Sequence, residues 1–165
     1  MTLHAATKDL HHACEEHPLG QRMVRGAVTA QEWADWLLAF RQLHAVVDPH
    51  LPKHMERDWL LAADLALLAR EFGAVPRKTQ AVARVTDIDV QGYAYVLHGA
   101  HRRGGRVLAP LMADKLMPSA HTFYPKPKDA EAVVKRLAAQ EAHIDGAREC
   151  FQVLLSVMGE ICDRQ

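Results

Sequence analysis

The chain has 165 residues, a length typical of one domain with an ordinary buried core, and we expect a single domain over residues 1–165. Its 20 basic and 20 acidic residues balance, so the net charge gives no overall attraction to nucleic acid or to an anionic membrane. The three cysteines form no CxxC pair, which indicates reduced thiols rather than disulfides or a zinc site. The N-terminus lacks a basic and then apolar leader, and the most apolar stretch, 59–69, is too short to span a membrane. We therefore expect a cytoplasmic protein.

The first predicted helix covers residues 3–16, where apolar residues recur on one helical face. That stripe consists of Leu3, Ala6, Leu10, Ala13 and Cys14. His11 lies at the edge of the stripe, whereas His12 points away from it. A lone histidine at the edge of a core face is usually a half-buried polar residue, so this spacing alone assigns no ligand role to His11.

The clearest helix signal covers residues 29–47. Thr29 and Glu32 have the spacing of a capping box, and a face rich in tryptophan, phenylalanine and leucine follows them. His44 lies on the same face. We interpret His44 as a hydrogen-bonded interior histidine rather than a ligand, because buried polar groups normally have hydrogen-bond partners.

A third helix is predicted from Lys53 to Phe72, ending at Gly73. The connection over residues 74–86 has room for one helical turn, and Thr86 or Asp87 is expected to cap the next helix.

The C-terminal segment from Asp129 to Cys162 repeats apolar residues at spacings of three and four, which predicts one long helix bent near Gly146. Alternating strand patterns and hairpin turn dipeptides are missing from the whole sequence. The sequence therefore predicts an all-α, single-domain helical bundle.

The stretch from Gly92 to Leu108 combines a helical apolar face with four glycines, at positions 92, 99, 104 and 105. Each glycine inside a helix costs about 1 kcal/mol relative to alanine, so the missing side chains must serve a purpose. One explanation is close packing of helices or a kink, the latter also expected at Pro110. The other is a flat ligand that lies almost against the backbone.

The spacing of residues in the sequence matches no common catalytic or metal-binding motif. The sequence has no HExxH, no phosphate-binding loop, no GxSxG and no CxxC. A di-iron bundle would need Glu-x-x-His on two helices, whereas Glu141 and His143 are two residues apart and fall on different faces.

Three segments resemble the heme oxygenases. The run from Leu3 to His11 resembles the family's opening pattern Leu-x-x-Ala-Thr-x-x-x-His. The run Tyr95-Val96-Leu97-x-Gly99, followed by Gly104-Gly105-Arg106-Val107-Leu108, is similar to the distal helix of the bacterial members. Thr122-Phe123-Tyr124 resembles the family's C-terminal third. Together these segments span most of the chain, and the resemblance implies a heme-oxygenase-like helical bundle.

The resemblance implies that His11 is the axial ligand of the heme iron and that the backbone of Gly99, Gly104 and Gly105 forms the distal wall. Lys8 would be a partner for a heme propionate. The implied reaction converts heme and O2, with electrons from an external donor such as a ferredoxin or flavin reductase, to biliverdin, carbon monoxide and ferrous iron. Heme would then be both cofactor and substrate.

The chain departs from the family in its distal helix. Four residues separate Gly99 from Gly104 where the family usually has three, and an extra residue absorbed as a π-bulge rotates the remainder of the helix by about 100°. His98 stands where a glutamate is common. His98 or His101 as a second axial ligand would give a heme-binding or heme-sensing protein without turnover, and Arg102 would bind a propionate or remain solvated. A further alternative is a fold relative that has lost heme.

Overall fold

The computed structural model describes residues 1–119 and 123–165 of the chain. Its first two helices meet at a corner at His17. α1 covers Leu3–Glu16, which confirms the predicted helix, and the side chain of Thr2 caps it by accepting a hydrogen bond from the backbone N–H of Ala5. α2 covers Pro18–Val24, a helix that the sequence pattern did not predict. Its proline occupies the first turn, where no intrahelical N–H is needed.

α3 covers Ala30–Val47 and begins with the predicted capping box, in which Thr29 and Glu32 bond to each other's backbone N–H groups. α4 covers Asp58–Phe72, so its predicted start at Lys53 was wrong. Two 3₁₀ turns, Asp48–His50 and Lys53–Met55, occupy the intervening residues.

The late start of α4 has a physical reason. Pro52 holds the preceding residue in an extended conformation, and the carboxylate of Asp48 accepts a hydrogen bond from the backbone N–H of Arg57 at 2.9 Å. α4 ends as predicted at Gly73, whose φ of +63° is the left-handed conformation that glycine adopts readily.

α5 is the predicted helical turn, Gln80–Ala83, and the carboxylate of Glu160 accepts the backbone N–H groups of Gln80 and Ala81. α6 covers Val90–Gly99. Its cap is Asp89, which accepts a hydrogen bond from the N–H of Gly92, so the predicted cap at Thr86 or Asp87 was wrong by a few residues. Asp87 instead occupies a turn at φ +53°.

Residues Ala100–Gly104 form a π-helical turn, closed by a hydrogen bond from the N–H of Gly105 to the carbonyl of Ala100. A π-bulge is the form in which a helix can absorb one additional residue, as considered above for this segment. α7 continues over Gly105–Asp114 and includes Pro110. It stops before Leu116, whose φ is +58°.

The C-terminal segment is two helices, so the predicted single helix was wrong. α8 covers Pro127–Ala138 and α9 covers Ile144–Asp163, with a 3₁₀ turn at Glu141–His143 between them. The apolar spacing gave no sign of the corner between α8 and α9, because both helices bury an apolar face in the same core.

The core is a single cluster of buried side chains contributed by every long helix, which confirms the all-α helical bundle. α9 occupies its middle, with α1, α3, α5 and α6 packed against it. Among the residues described, no helix combines the length and the apolar character needed to cross a membrane.

Candidate functional site

Two glycines, one on α6 and one on α9, are explained by the packing of these two helices. A Cβ added to Gly92 would lie 2.5 Å from the backbone nitrogen of Ala147 on α9, and a Cβ added to Gly146 would collide with Asp89. The crossing of α6 and α9 therefore requires glycine at both positions, because real Cβ atoms do not approach neighbouring atoms that closely.

No packing contact of this kind explains why Gly99 and Gly104 are glycines. A Cβ added to either residue would meet no atom within 4 Å beyond its own helix. The two residues are five apart and flank a π-helical turn, whose i to i+5 hydrogen bonding stacks residues of that spacing on one face. Gly99 and Gly104 are both partly exposed, whereas Gly105 is buried.

α1 runs along α9 in the same chain direction. The Arg148 guanidinium donates hydrogen bonds to the carbonyl of Ala6 at 2.5 Å and to the carboxylate of Asp9 at 2.9 Å. The ring of His11 then meets the ring of Phe151 edge-on, with centroids 5.9 Å apart. Higher numbers on α1 thus face higher numbers on α9.

α6 also runs in this direction. Asp89, at its start, pairs with His143 just before α9, and the hydroxyl of Tyr93 donates to the carboxylate of Glu149 at 2.9 Å. Since α1 and α6 both run parallel to α9, they also run parallel to each other.

Thr7 of α1 lies close enough to Tyr95 of α6 to act on the pKa of its phenol, so the two helices approach each other at these residues. One turn further along each helix lie His11 and Gly99. The contacts with Phe151 and Glu149 place His11 and Tyr93 within one turn of each other along α9. At the far end, Gly26 packs near Leu111 of α7. We give the name α1–α6 cleft to the region between these two contacts, where an added Cβ at Gly99 or Gly104 would meet no neighbouring atom.

The side chain of His11 is 58% exposed, and its Nδ1 lies 3.5 Å from a carboxylate oxygen of Glu15. An imidazole with a carboxylate at one nitrogen and solvent at the other has the arrangement of a typical metal-ligating histidine. His12 is also exposed but lies on another face of α1. His11 is therefore available to a ligand in the cleft.

Lys8 does not share this position. It lies with His12 on the face of α1 that lines a shallow surface cavity of about 670 Å³, together with Asp9 and Arg148. The arginine nearest the cleft is Arg103, whose charge acts on Tyr95. Burial is the larger influence there and raises the pKa of the Tyr95 phenol.

His98 and His101 belong to a buried polar network on the opposite side of α6. Asp48 is its centre, because one carboxylate oxygen lies 2.9 Å from Nδ1 of His44 and 3.0 Å from Nε2 of His98. Nδ1 of His98 lies 2.7 Å from the hydroxyl of Tyr124, and Nε2 of His44 lies 2.6 Å from Nε2 of His101. All five side chains are buried.

The hydrogen-bond directions in this network follow from the carboxylate, which only accepts. His44 donates from Nδ1 and His98 donates from Nε2 to Asp48. The Tyr124 hydroxyl then donates to the bare Nδ1 of His98, and His101 donates to the bare Nε2 of His44.

Arg57 flanks the network, and its guanidinium lies 3.9 Å from the centre of the Tyr124 ring. It also donates a hydrogen bond to the carbonyl of Phe123. Burial is the largest influence on Arg57 and lowers the pKa of its guanidinium, against the attraction of Asp48. The network thus holds one carboxylate and one guanidinium inside the bundle.

Burial by itself would raise the pKa of Asp48, but the hydrogen bonds from His44 and His98 outweigh it and hold that pKa well below the usual range. For His98, burial dominates over the attraction of Asp48 and lowers the pKa to about 4. The network is therefore built around an ionised carboxylate and a neutral His98 at neutral pH.

The low pKa of His98 makes the protein less stable in acid. The unfolded chain binds this proton near pH 6.5 and the folded chain near pH 4. Above pH 6.5 this ring therefore leaves the free energy of unfolding unchanged, and that free energy falls as the pH decreases from 6.5 towards 4. We expect a loss of about 3 kcal/mol in the free energy of unfolding over that window. Urea unfolding at a series of pH values measures it, and His98→Gln should give a flatter profile. Equal slopes for the two proteins would contradict the assignment.

The structure thus separates the expected heme contacts. The ring of His11 lies against Phe151 of α9, whereas the rings of His98 and His101 point to Asp48 and His44 of the α3 side. A second axial ligand from either histidine would require the network to break.

Arg102 is also turned away from the cleft. It pairs with Glu131 and lines a second cavity, of about 340 Å³, with His101 and Tyr124.

Sequence reasoning missed Asp48, Arg57 and Tyr124 as site residues. The available signal was the four-residue spacing of His44 and Asp48 on a buried face, which places both side chains together. Thr122, part of the third resembling segment, lies outside the described residues. In comparisons with known proteins, the chain matches no family model and no curated protein.

Proposed function

We propose that the α1–α6 cleft binds heme with His11 as axial ligand and that the protein is a heme oxygenase. The observation that carries this proposal is that an added Cβ at Gly99 or Gly104 would meet no neighbouring atom, on a helical stretch that α1 approaches at Tyr95. The resemblance of the first and distal helices to heme oxygenases suggests heme as the ligand and its oxidative cleavage as the reaction.

The residues of the cleft are chemically suited to bind heme. An exposed imidazole is a suitable axial ligand, and the carboxylate of Glu15 near its Nδ1 leaves Nε2 for the metal. A side chain at Gly99 or Gly104 would project into the space that a flat macrocycle needs. The π-helical turn supports the proposal because it keeps the two glycines on one face despite the extra residue.

Each of these residues has a distinct task in the proposed reaction. Glu15 and the edge-on ring of Phe151 orient the imidazole of His11. Tyr95, close to Thr7, lines one end of the proposed cleft, and burial raises the pKa of its phenol so that it stays protonated. When bound, heme supplies the iron that binds O2 and the ring that is cleaved.

The alternative of a bis-histidine heme protein is less well supported. His98 and His101 would each have to leave a buried hydrogen-bonded network to reach the cleft, and breaking such a network costs several kcal/mol. We therefore favour a single protein ligand and an open site for oxygen.

The proposal is tested by titrating the purified protein with hemin and recording the Soret band. We expect a one-to-one complex in the wild type and in His12→Ala, and at least a tenfold weaker complex in His11→Ala. His12 is the matched control because it is the adjacent exposed histidine on another face of the same helix.

Addition of a reductant in air separates oxygenase activity from simple binding. The expected result is bleaching of the Soret band and growth of a biliverdin-like absorbance. A complex that never bleaches would reject the oxygenase and leave a heme-binding protein. Equal binding by His11→Ala and the wild type would reject the ligand assignment.

A further inference from the structure

The second site is the buried cluster of His44, Asp48 and His98, which lies behind the π-helical turn and away from the cleft. The candidate ligand atoms of these three residues lie within 4.8 Å of one another. Asp48 Oδ1 is 2.9 Å from Nδ1 of His44 and 3.0 Å from Nε2 of His98. Ligand atoms bound to one tetrahedral ion at 2.0–2.1 Å are separated by about 3.3 Å, so small movements would convert the cluster to a coordination shell.

Each of the three residues has an outer partner that fixes its orientation. The second oxygen of Asp48 accepts the backbone N–H of Arg57 at 2.9 Å. The far nitrogen of His98 faces the Tyr124 hydroxyl, and the far nitrogen of His44 faces Nε2 of His101. Ligating histidines characteristically have such a partner on the other ring nitrogen.

These outer partners can serve both tautomers of the rings. Without an ion, His44 and His98 donate to Asp48 and accept from His101 and Tyr124. With an ion at the Asp48 side, each ring would carry its proton on the other nitrogen. His44 would then donate to Nε2 of His101, whose own ring proton would move to Nδ1, and His98 would donate to the oxygen of Tyr124, whose hydroxyl hydrogen would rotate away. The network therefore offers a place for each displaced proton.

A cavity lies next to the cluster, on the far side of His101 and Tyr124. The cavity of about 340 Å³ is lined by His101 and Tyr124, the two residues that contact the ring nitrogens of His44 and His98. Arg102 and Arg106 line the same cavity. With the buried charge of Arg57 close to Asp48, these arginines favour an anion such as hydroxide as an additional ligand.

We propose that His44, Asp48 and His98 bind one divalent transition metal ion. Two imidazoles and one carboxylate suit Zn²⁺, Co²⁺ or Fe²⁺, whereas Mg²⁺ and Ca²⁺ prefer a shell of oxygen atoms. The site is independent of the proposed heme cleft and shares no residue with it.

The test uses the full chain without heme, stripped with EDTA and then dialysed against Zn²⁺. We expect one bound zinc in the wild type and in His50→Asn, and at least tenfold weaker binding in Asp48→Asn and His98→Asn. His50 is the matched control because it is exposed and lies two residues from Asp48. Zinc binding at the same level in both buried variants, or no retained zinc in the wild type, would overturn the proposal.

A second measurement does not depend on the variants remaining folded. In ¹⁵N-histidine NMR of the wild type, one equivalent of Zn²⁺ should move the ring proton of His44 from Nδ1 to Nε2 and that of His98 from Nε2 to Nδ1. Responses confined to exposed histidines would overturn the proposal. Because hemin binding is measured separately at His11, failure of the metal site leaves the heme proposal standing, and the reverse also holds.

Discussion

Gly92→Ala is expected to lower the free energy of unfolding by about 3 kcal/mol, the upper part of the range for overpacked sites. The added methyl group would lie 2.5 Å from the backbone nitrogen of Ala147 and 2.8 Å from the carbonyl oxygen of His143. These are backbone atoms of α9 and its preceding turn, which cannot rotate away as a flexible side chain would. The helices must separate, and the packing of α6 on α9 is lost. Urea unfolding measures the change.

Gly99→Ala and Gly104→Ala provide the matched controls, because they are the same substitution in the same helical stretch. Neither added methyl group would meet an atom within 4 Å, so only the helical preference of alanine acts. We expect the heme-free protein to be unchanged or more stable by up to about 1 kcal/mol.

The same two variants should bind hemin more weakly, because the methyl group projects into the cleft. Destabilisation of all three variants to the same extent would show that the open face assigned to Gly99 and Gly104 is wrong.

Asp48→Ala, in the presence of EDTA, is expected to cost about 4 kcal/mol of the free energy of unfolding. The substitution removes the acceptor of His44, of His98 and of the backbone N–H of Arg57. It also leaves the buried guanidinium of Arg57 without its nearby carboxylate. Unsatisfied buried donors and an uncompensated buried charge are among the most costly effects of single substitutions.

Asp58→Ala is the control for Asp48→Ala. Asp58 accepts a hydrogen bond from Arg41 at 2.8 Å on the protein surface, where ion pairs contribute little. We expect a change within about 0.5 kcal/mol for this variant. Asp48→Asn should fall between the two, since it retains one acceptor oxygen. Thermal and urea unfolding that give equal stability for Asp48→Ala and the wild type would refute the central role of Asp48.

The glycine-containing helix shows why one sequence pattern can have two explanations. Gly92 is required by a backbone on the neighbouring helix, whereas Gly99 and Gly104 leave a face open. Both explanations predict glycine at helical spacing. Only the position of α9 relative to α6 distinguishes them, because the atoms that exclude a Cβ belong to residues more than 50 positions away in the chain.

The heme proposal and the metal proposal concern opposite sides of this helix. His11 faces one side from α1, and His44 with Asp48 face the other from α3. The π-helical turn lies between them and contributes its open glycines to the first and His101 to the second. A change in the packing of this turn would therefore be expected to affect both sites.

The sequence by itself determined the features that depend on residues close in the chain. α1, the capping box of α3 and the glycine at the end of α4 were all predicted, because each arises from neighbours within about five positions. The all-α class followed from the same periodicity.

Tertiary structure alone decided the corner between α8 and α9, the late start of α4 and the composition of the buried network. An apolar spacing continues through a corner when both helices bury a face in one core. His98 lies 50 positions from Asp48, and His101 lies 57 positions from His44. Nothing local marks such pairs, since a hydrogen bond between distant residues forms only where the packing of whole helices brings their side chains together.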